Sequence, residues 1–510
     1  MKAMKTPSAS QPNAANRKHS EEIGETMHPR GFHAMTRSKP GSPMPAETSV
    51  ELDSAKHLLP GKSLCVAGML IVILLGTLFL RIHSLYLPHG KVDEIQYLAL
   101  AMKLDASGFS GYNLREIDVS VRGPHFFLAP ARSGTRGNLL TRMPQYYDAP
   151  LFHKPPLFPY SLMVSHRLFA PGEPYAAVIA RPGSDVSWKE RWAQGAKQFY
   201  GAVVPIVFSV LLVATTFALG KALFSTQVGA FAAILMSISP IDVLSSQKIV
   251  TDDMLSFFVA AAFLLYYMSR REKSIGLALA AGISFGLATL AKSSGNIVLP
   301  AILIYEAWKY AQSRYVSTCG AARAFDRFFL IFALVGVLLA IPWHLHIAQT
   351  YGTLYHYPAA SQTNLLQTDP WFSFVFNRPF YMYLINIPAQ TPLLFLVYPA
   401  IFGIFMRRIP KTEQEKDCMI LLSIWIVVFL LSLVWSNIGR ELRYMLPAYP
   451  AIAALSANVM ERLRGWINSK FGYHLGTLCI LAALALCGWW SIHLGLTHVL
   501  ENAAEIRFPF

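Results

Sequence analysis

Between residues 199 and 494 the sequence passes through ten apolar stretches, most of them divided by short polar turns, and one more, Leu64 to about Ile82, precedes them. A helix that crosses a bilayer needs about 20 mostly apolar residues. The later ten fall near 199–219, 227–244, 254–268, 275–291, 296–311, 328–346, 381–406, 418–435, 445–460 and 474–494. Composition agrees: 54% of residues are hydrophobic and only 14% charged, where a soluble domain carries about 25% charged residues. So few charges cannot cover the surface of a water-soluble fold. The predicted fold class is an all-α polytopic membrane protein of about eleven transmembrane helices, with a long first outer loop carrying juxtamembrane helices. A secreted disulfide-rich fold is excluded, because the five cysteines form no framework.

The predicted organisation has three parts. Residues 1–62 are rich in Ser, Pro, Lys and Glu and lack periodicity, which predicts a disordered cytoplasmic tail. Met27, Met35 and Met44 offer downstream starts that would shorten it. Residues 63–498 form the transmembrane domain, with 84–198 as its first outer loop, and 499–510 form an outer C-terminal tail. The net charge of +15 is read as topology and attraction to anionic lipid rather than nucleic-acid binding. With the N-terminus inside, the short inner loops hold about fourteen Lys and Arg against about six in the short outer segments. The positive-inside rule favours that orientation.

Five constellations then fall at the outer ends of spans, where a charge is a functional candidate. The first is Lys91-Val-Asp93-Glu94-Ile-Gln-Tyr97, opening a stretch in which Ile95, Leu98, Ala99 and Met102 recur at helical spacing. It predicts an amphipathic helix lying along the membrane. Its acids could equally complement the helix dipole. The second is His153-Lys154-Pro155-Pro156, where two prolines fix an extended backbone beside a lysine. The third is Gln247-Lys248-Ile-Val-Thr251-Asp252-Asp253, and the fourth is Lys292-Ser293-Ser294. The fifth is Arg440-Glu-Leu-Arg443-Tyr444-Met-Leu-Pro447, whose arginines suit phosphate recognition. Each has a bland reading as interfacial anchoring or snorkelling. Together they put acidic and cationic clusters on one face, which suits an anionic lipid headgroup beside a catalytic carboxylate.

These residues resemble the C-type glycosyltransferase superfamily. More closely, the chain is similar to the dolichyl-phosphate-mannose protein mannosyltransferases (glycosyltransferase family 39) and to their bacterial relatives, the aminoarabinose transferases of lipid A. The resemblance rests on Asp93-Glu94 followed by Tyr97, on Lys154-Pro155-Pro156, on Asp252 with Asp253 beside it, and on Arg443-Tyr444-Met445-Leu446-Pro447. It spans roughly residues 64–470. The long stretch around Gly108–Arg142, and His153 where the aminoarabinose transferases have Glu, depart from the pattern and bear on the acceptor.

The resemblance implies transfer of a sugar from a polyprenyl-phosphate donor, of undecaprenyl or dolichyl type, to a lipid A-type glycolipid, protein or cell-envelope glycan. The displacement would be inverting. It places Asp93 as base, with Glu94 and Asp252 as the other catalytic carboxylates. Lys154, Lys248, Arg440, Arg443, Tyr444 and Lys292 would bind the donor phosphate, and Tyr97, Asp253 and His153 the sugar or acceptor. No cofactor is expected. A divalent metal is possible through Asp93, His89, His153 or Asp252, but the sequence shows no ligand spacing for one and none is expected to be essential. No nucleic-acid partner is expected, and a bacterial inner membrane is favoured. The rival class is a flippase or transporter of lipid-linked sugar, which should instead carry charge at mid-membrane depth.

Overall fold

The computed structural model describes residues 60–83, 92–108, 112, 117–122, 125–130, 154–172, 175–178, 199–316, 325–351, 381–405, 410, 412–435, 441–472 and 474–501. Most of the predicted tail, up to residue 59, and residues 502–510 lie outside the described residues.

Each of the eleven predicted stretches is helical. The first is α1, Pro60–His83, which leads to α2, Val92–Ser107, and α3, Leu157–Phe169, both in the long polar segment. The main bundle follows as α4 (Phe199–Leu223), α5 (Thr226–Ser237), α6 (Pro240–Ser246), α7 (Asp252–Arg271), α8 (Ile275–Ala291), α9 (Val298–Val316) and α10 (Arg327–Tyr351). It closes with α11 (Met382–Gln390), α12 (Val397–Phe405), α13 (Glu413–Trp435), α14 (Tyr449–Phe471) and α15 (Leu475–Glu501). The last helix therefore runs past residue 498, where the tail was expected to begin.

Six of these helices are long and apolar enough to cross a membrane, and seven if α5 and α6 count as one bent span. The chain is an integral membrane protein. The expected count of eleven is not matched by length and composition, for physical reasons. Helix α8 has 17 residues. Helix α9 carries Glu306, Lys309 and Arg314. The predicted span 227–244 bends by 59° between α5 and α6, where Pro240 starts the second helix. A proline there donates no backbone hydrogen bond and crowds the preceding turn.

The long polar segment departs from an all-helical chain. Strands β1 (Ile117–Arg122), β2 (His125–Pro130) and β3 (Ala176–Val178) form an antiparallel sheet in the order β1-β2-β3. Ile117 pairs with Pro130 and Arg122 with His125, while His125 also pairs with Val178. Ile117, Val119 and Val121 alternate with Asp118, Ser120 and Arg122, the period of a strand.

Helix α14 is the centre of the bundle. Every residue from Tyr449 to Asn458 is buried, and five of those ten are alanines or serine, which let neighbours approach on all sides. Close approach also joins α4 and α5: a Cβ on Gly220 would stand 2.8 Å from the Gly229 Cα. Ser225 caps α5 by accepting from Val228 N at 3.2 Å. Helix α1 is peripheral, with 11% of its span buried. Arg81 near its end is nevertheless completely buried.

The amphipathic helix expected at residues 92–107 exists, but it does not rest on the membrane by one face. Gln96 to Ala101 are buried all round, because Tyr97 packs edge-on to Phe158 of α3 with ring centroids 4.9 Å apart.

Candidate active site

Helix ends build the site. Thr251 precedes α7, and its hydroxyl donates to the Ala291 carbonyl at the end of α8 (3.1 Å). That bond sets Asp252, the first residue of α7, opposite Lys292, the residue that ends α8. Lys292 Nζ lies 2.7 Å from Asp252 Oδ1. A 3₁₀ turn, Leu442–Ala448, leads into α14 and supplies the third member. Arg443 Nη1 lies 3.7 Å from Asp252 Oδ2, and Arg443 Nε lies 2.5 Å from Glu441 Oε2. Tyr444 underlies both cations: Lys292 Nζ is 4.4 Å from its ring centroid and the Arg443 guanidinium carbon 5.3 Å. Three of the five predicted constellations thus form one cluster.

The second group is Lys154, Tyr97 and Glu94. Lys154 is buried with Nζ 4.0 Å above the Tyr97 ring. Its carbonyl accepts from the Tyr112 hydroxyl (2.6 Å), and Tyr112 meets Trp343 of α10 edge-on. Pro155 and Pro156 stop α3 from extending back through Lys154. Glu94 is buried, and its Oε1 accepts from the backbone N–H of Ile249 (2.9 Å). Ile249 and Asp252 are three residues apart, so at about 3.8 Å per residue their Cα atoms are no more than about 11 Å apart. Glu94 therefore ties α2 and its lysine-bearing neighbour to the turn that carries Asp252.

The remaining expected residues are placed as follows. Asp93 is the second residue of α2, and its side chain lies outside the described residues. His89, His153 and Arg440 also lie outside them. Lys248 is half-buried in the turn before α7. Asp253 is completely buried and faces inward, beside Asp242 and Ser245, away from the Lys292–Asp252–Arg443 cluster on its neighbouring residue. Among the described residues no group of three or more His, Cys, Asp and Glu side chains is placed to hold a metal.

Sequence reading missed two features. Arg81 and Asp242 form a salt bridge with no exposure on either side. Ser209 joins it, accepting from Arg81 Nε (2.5 Å) and donating to Asp242 Oδ2 (2.9 Å). The guanidinium also reaches the carbonyls of Thr77 (3.1 Å) and Ser237 (3.0 Å). The signal was available: an arginine and an aspartate lie inside two different predicted spans, where each needs a partner. Glu441 was the second omission, although it stands between the two arginines of the fifth constellation.

The arrangement resembles known folds. Among solved structures, ArnT from Cupriavidus metallidurans in the apo state aligns with a TM-score of 0.50 and 14% identity, over 86% of this chain and 76% of that one. The archaeal oligosaccharyltransferase AglB from Archaeoglobus fulgidus, in complex with an inhibitory peptide and a dolichol-phosphate, aligns with a TM-score of 0.53 and 12% identity, over 88% and 57%. The chain has the C-type glycosyltransferase fold. The family model of dolichyl-phosphate-mannose-protein mannosyltransferases matches residues 185–357 of it, which includes Lys248, Asp252, Asp253 and Lys292. The undecaprenyl phosphate-alpha-4-amino-4-deoxy-L-arabinose arabinosyl transferase of Aeromonas hydrophila is 27% identical over 256 residues. That match covers 46% of this chain and spans 43% of the relative's own length.

Proposed function

We propose that the chain is an integral-membrane glycosyltransferase that moves a sugar from a polyprenyl-phosphate donor to an acceptor at the outer face of a bacterial inner membrane. The observation that carries this reading is the meeting of Lys292, Arg443 and Asp252 over Tyr444, at helix ends that include the start of α7, one of the helices long and apolar enough to cross. Cations held at that level suit a lipid phosphate whose tail stays in the bilayer. The activity for which the Aeromonas relative is named, and the mannosyltransferase family that matches residues 185–357, point the same way. The C-type fold is consistent with it. The excess of Lys and Arg in the short loops on the side assigned as inner supports a cluster facing outside and an N-terminus inside.

The chemistry follows from the groups. The acceptor oxygen attacks the anomeric carbon from the side opposite the phosphate, and the bond from that carbon to the phosphate oxygen breaks. The electron pair stays on the phosphate, whose negative charge increases. Lys292 and Arg443 stabilise that charge as it develops, with Lys248 and Lys154 as neighbouring cations. Undecaprenyl or dolichyl phosphate leaves. Asp93 takes the proton when the acceptor is a hydroxyl. A single inversion needs no covalent nucleophile. Asp252 holds the two cations together, and Glu94 holds the turn in place. Asp253 and its neighbour Asp242 act in the interior rather than on substrate. The sugar and the acceptor — glycolipid, protein or cell-envelope glycan — are to be found by experiment.

The test is transfer from a panel of radiolabelled polyprenyl-phosphate sugars, with purified protein and a membrane extract as acceptor. Transfer by wild type that collapses in Asp93→Asn and Arg443→Ala supports the reading. Labelled lipid crossing the bilayer without loss of its sugar would instead make the protein a transporter.

A further inference from the structure

The cluster around Asp252 is electrically balanced. Lys292 and Arg443 bring two positive charges, and Asp252 and Glu441 bring two negative ones. A lipid phosphodiester adds a negative charge, and the released phosphate carries more. Within these pairs the Arg443 guanidinium is already engaged by Asp252 and Glu441, so a phosphate must compete with one of them.

The two carboxylates are not equivalent. Asp252 has a side chain only 2% exposed and lies in the first turn of α7, where the helix dipole favours an anion. Its backbone carbonyl accepts from Ser256 Oγ at 2.6 Å. Glu441 is 19% exposed and precedes the 3₁₀ turn rather than sitting within it. Its backbone is fixed independently, because its carbonyl accepts from Tyr444 N at 3.1 Å. The Glu441 side chain can therefore swing to solvent without breaking the turn that aims Arg443.

We propose that Glu441 is the exchangeable counter-ion of Arg443: its carboxylate holds the phosphate's place in the empty site, leaves when donor binds, and returns to displace the lipid phosphate product. This rests on reading the cluster as a phosphate site. Glu441 touches no reacting atom, so it is a positioning residue that sets affinity and product release. It also keeps the empty site from capturing free inorganic anions.

The experiment measures undecaprenyl phosphate binding to the full-length protein in nanodiscs, for wild type, Glu441→Gln, Glu441→Asp, Arg443→Ala and the double variant Glu441→Gln/Arg443→Ala. Removing the competing charge-assisted contact should tighten binding by about tenfold in Glu441→Gln. Glu441→Asp, which keeps the charge, should stay near wild type. The gain should vanish in the Arg443→Ala background, because Glu441 acts through that guanidinium. With donor, Glu441→Gln should lower KM and kcat together as release slows, a split that a folding defect does not produce. Unchanged or weaker binding in Glu441→Gln overturns the proposal, as does an equal gain without Arg443. If wild type and every variant fail to bind undecaprenyl phosphate, the phosphate-site reading itself falls, and the proposal with it.

Discussion

Two ion clusters draw on residues ten apart along the chain, Asp242 and Asp252, and differ in their access. One joins Arg81, near the end of α1, to Asp242 of α6, with Ser209 bonded to both. The other joins Lys292 and Arg443 to Asp252 where spans end. Asp252 and Asp253 are adjacent, yet only Asp252 is 2.7 Å from Lys292, while Asp253 is buried beside Asp242; consecutive residues at a helix start point about 100° apart. In the first, neither ion is exposed, and the guanidinium is occupied by a carboxylate, a hydroxyl and two carbonyls. In the second, the lysine is 22% exposed and the arginine 16%. The residue types are nearly the same. Access, not composition, separates the two clusters.

Breaking the inner cluster should give the largest loss. Asp242→Ala leaves Arg81 charged and buried, and removing one partner of such a pair costs about 3–5 kcal/mol. Thermal unfolding in detergent should show this as a sharply lowered midpoint. Arg81→Met/Asp242→Leu, which removes both charges, should recover most of the stability. A double variant as unstable as the single one would show that the pair contributes more than mutual neutralisation.

The outer cluster should respond in the opposite way. Arg443→Ala should lower kcat by about 10²–10³, the usual loss when a group stabilising transition-state charge is removed. Its melting temperature should move much less than that of Asp242→Ala, because Asp252 keeps Lys292 as a partner when the arginine is removed. A large drop in the midpoint with little change in kcat would erase the distinction between the clusters.

How much of this was legible follows the same line. Apolar runs report helices directly, so all eleven stretches were found, and so was the membrane. The bend at Pro240 and the shortness of α8 depend on where a helix stops, which hydropathy averages away. Lys154, Asp252, Lys292 and Arg443 were legible because charge at a span end is conspicuous. Arg81 and Asp242 were overlooked because each sits in a run that is otherwise apolar, and a single charge vanishes into the mean. The three strands were missed because Ile117–Arg122 is short and lies in a stretch read only as polar. That Glu94 bonds Ile249 N, 155 residues away, could not be read from either local segment.

Glu94 offers a smaller and sharper test. If its carboxylate only latches the turn carrying Asp252, an acceptor oxygen is what matters. Glu94→Gln retains one for Ile249 N–H and should keep most activity. Glu94→Ala leaves that buried N–H unpaired and should cost about 1.5–3 kcal/mol of stability, with activity falling alongside. Equal loss of activity in both variants, at unchanged midpoint for Glu94→Gln, would move Glu94 into the outer cluster's chemistry.

Tyr444 gives the smallest expected effect and the finest division between holding and reacting. Its ring lies under both Lys292 and Arg443, and a cation over an aromatic face gains about 0.5–2 kcal/mol depending on solvent access. Tyr444→Phe keeps the face and should leave donor KM and kcat near wild type. Tyr444→Leu keeps the bulk and loses the face, so the cations should be held less firmly and kcat/KM for donor should fall by about 2- to 30-fold, the rate equivalent of that energy. Should Tyr444→Phe fall as far as Tyr444→Leu, the hydroxyl rather than the ring is the working part. Tyr444 would then belong with the groups that touch substrate, and the outer cluster would extend one residue further along the turn than its ion pairs mark.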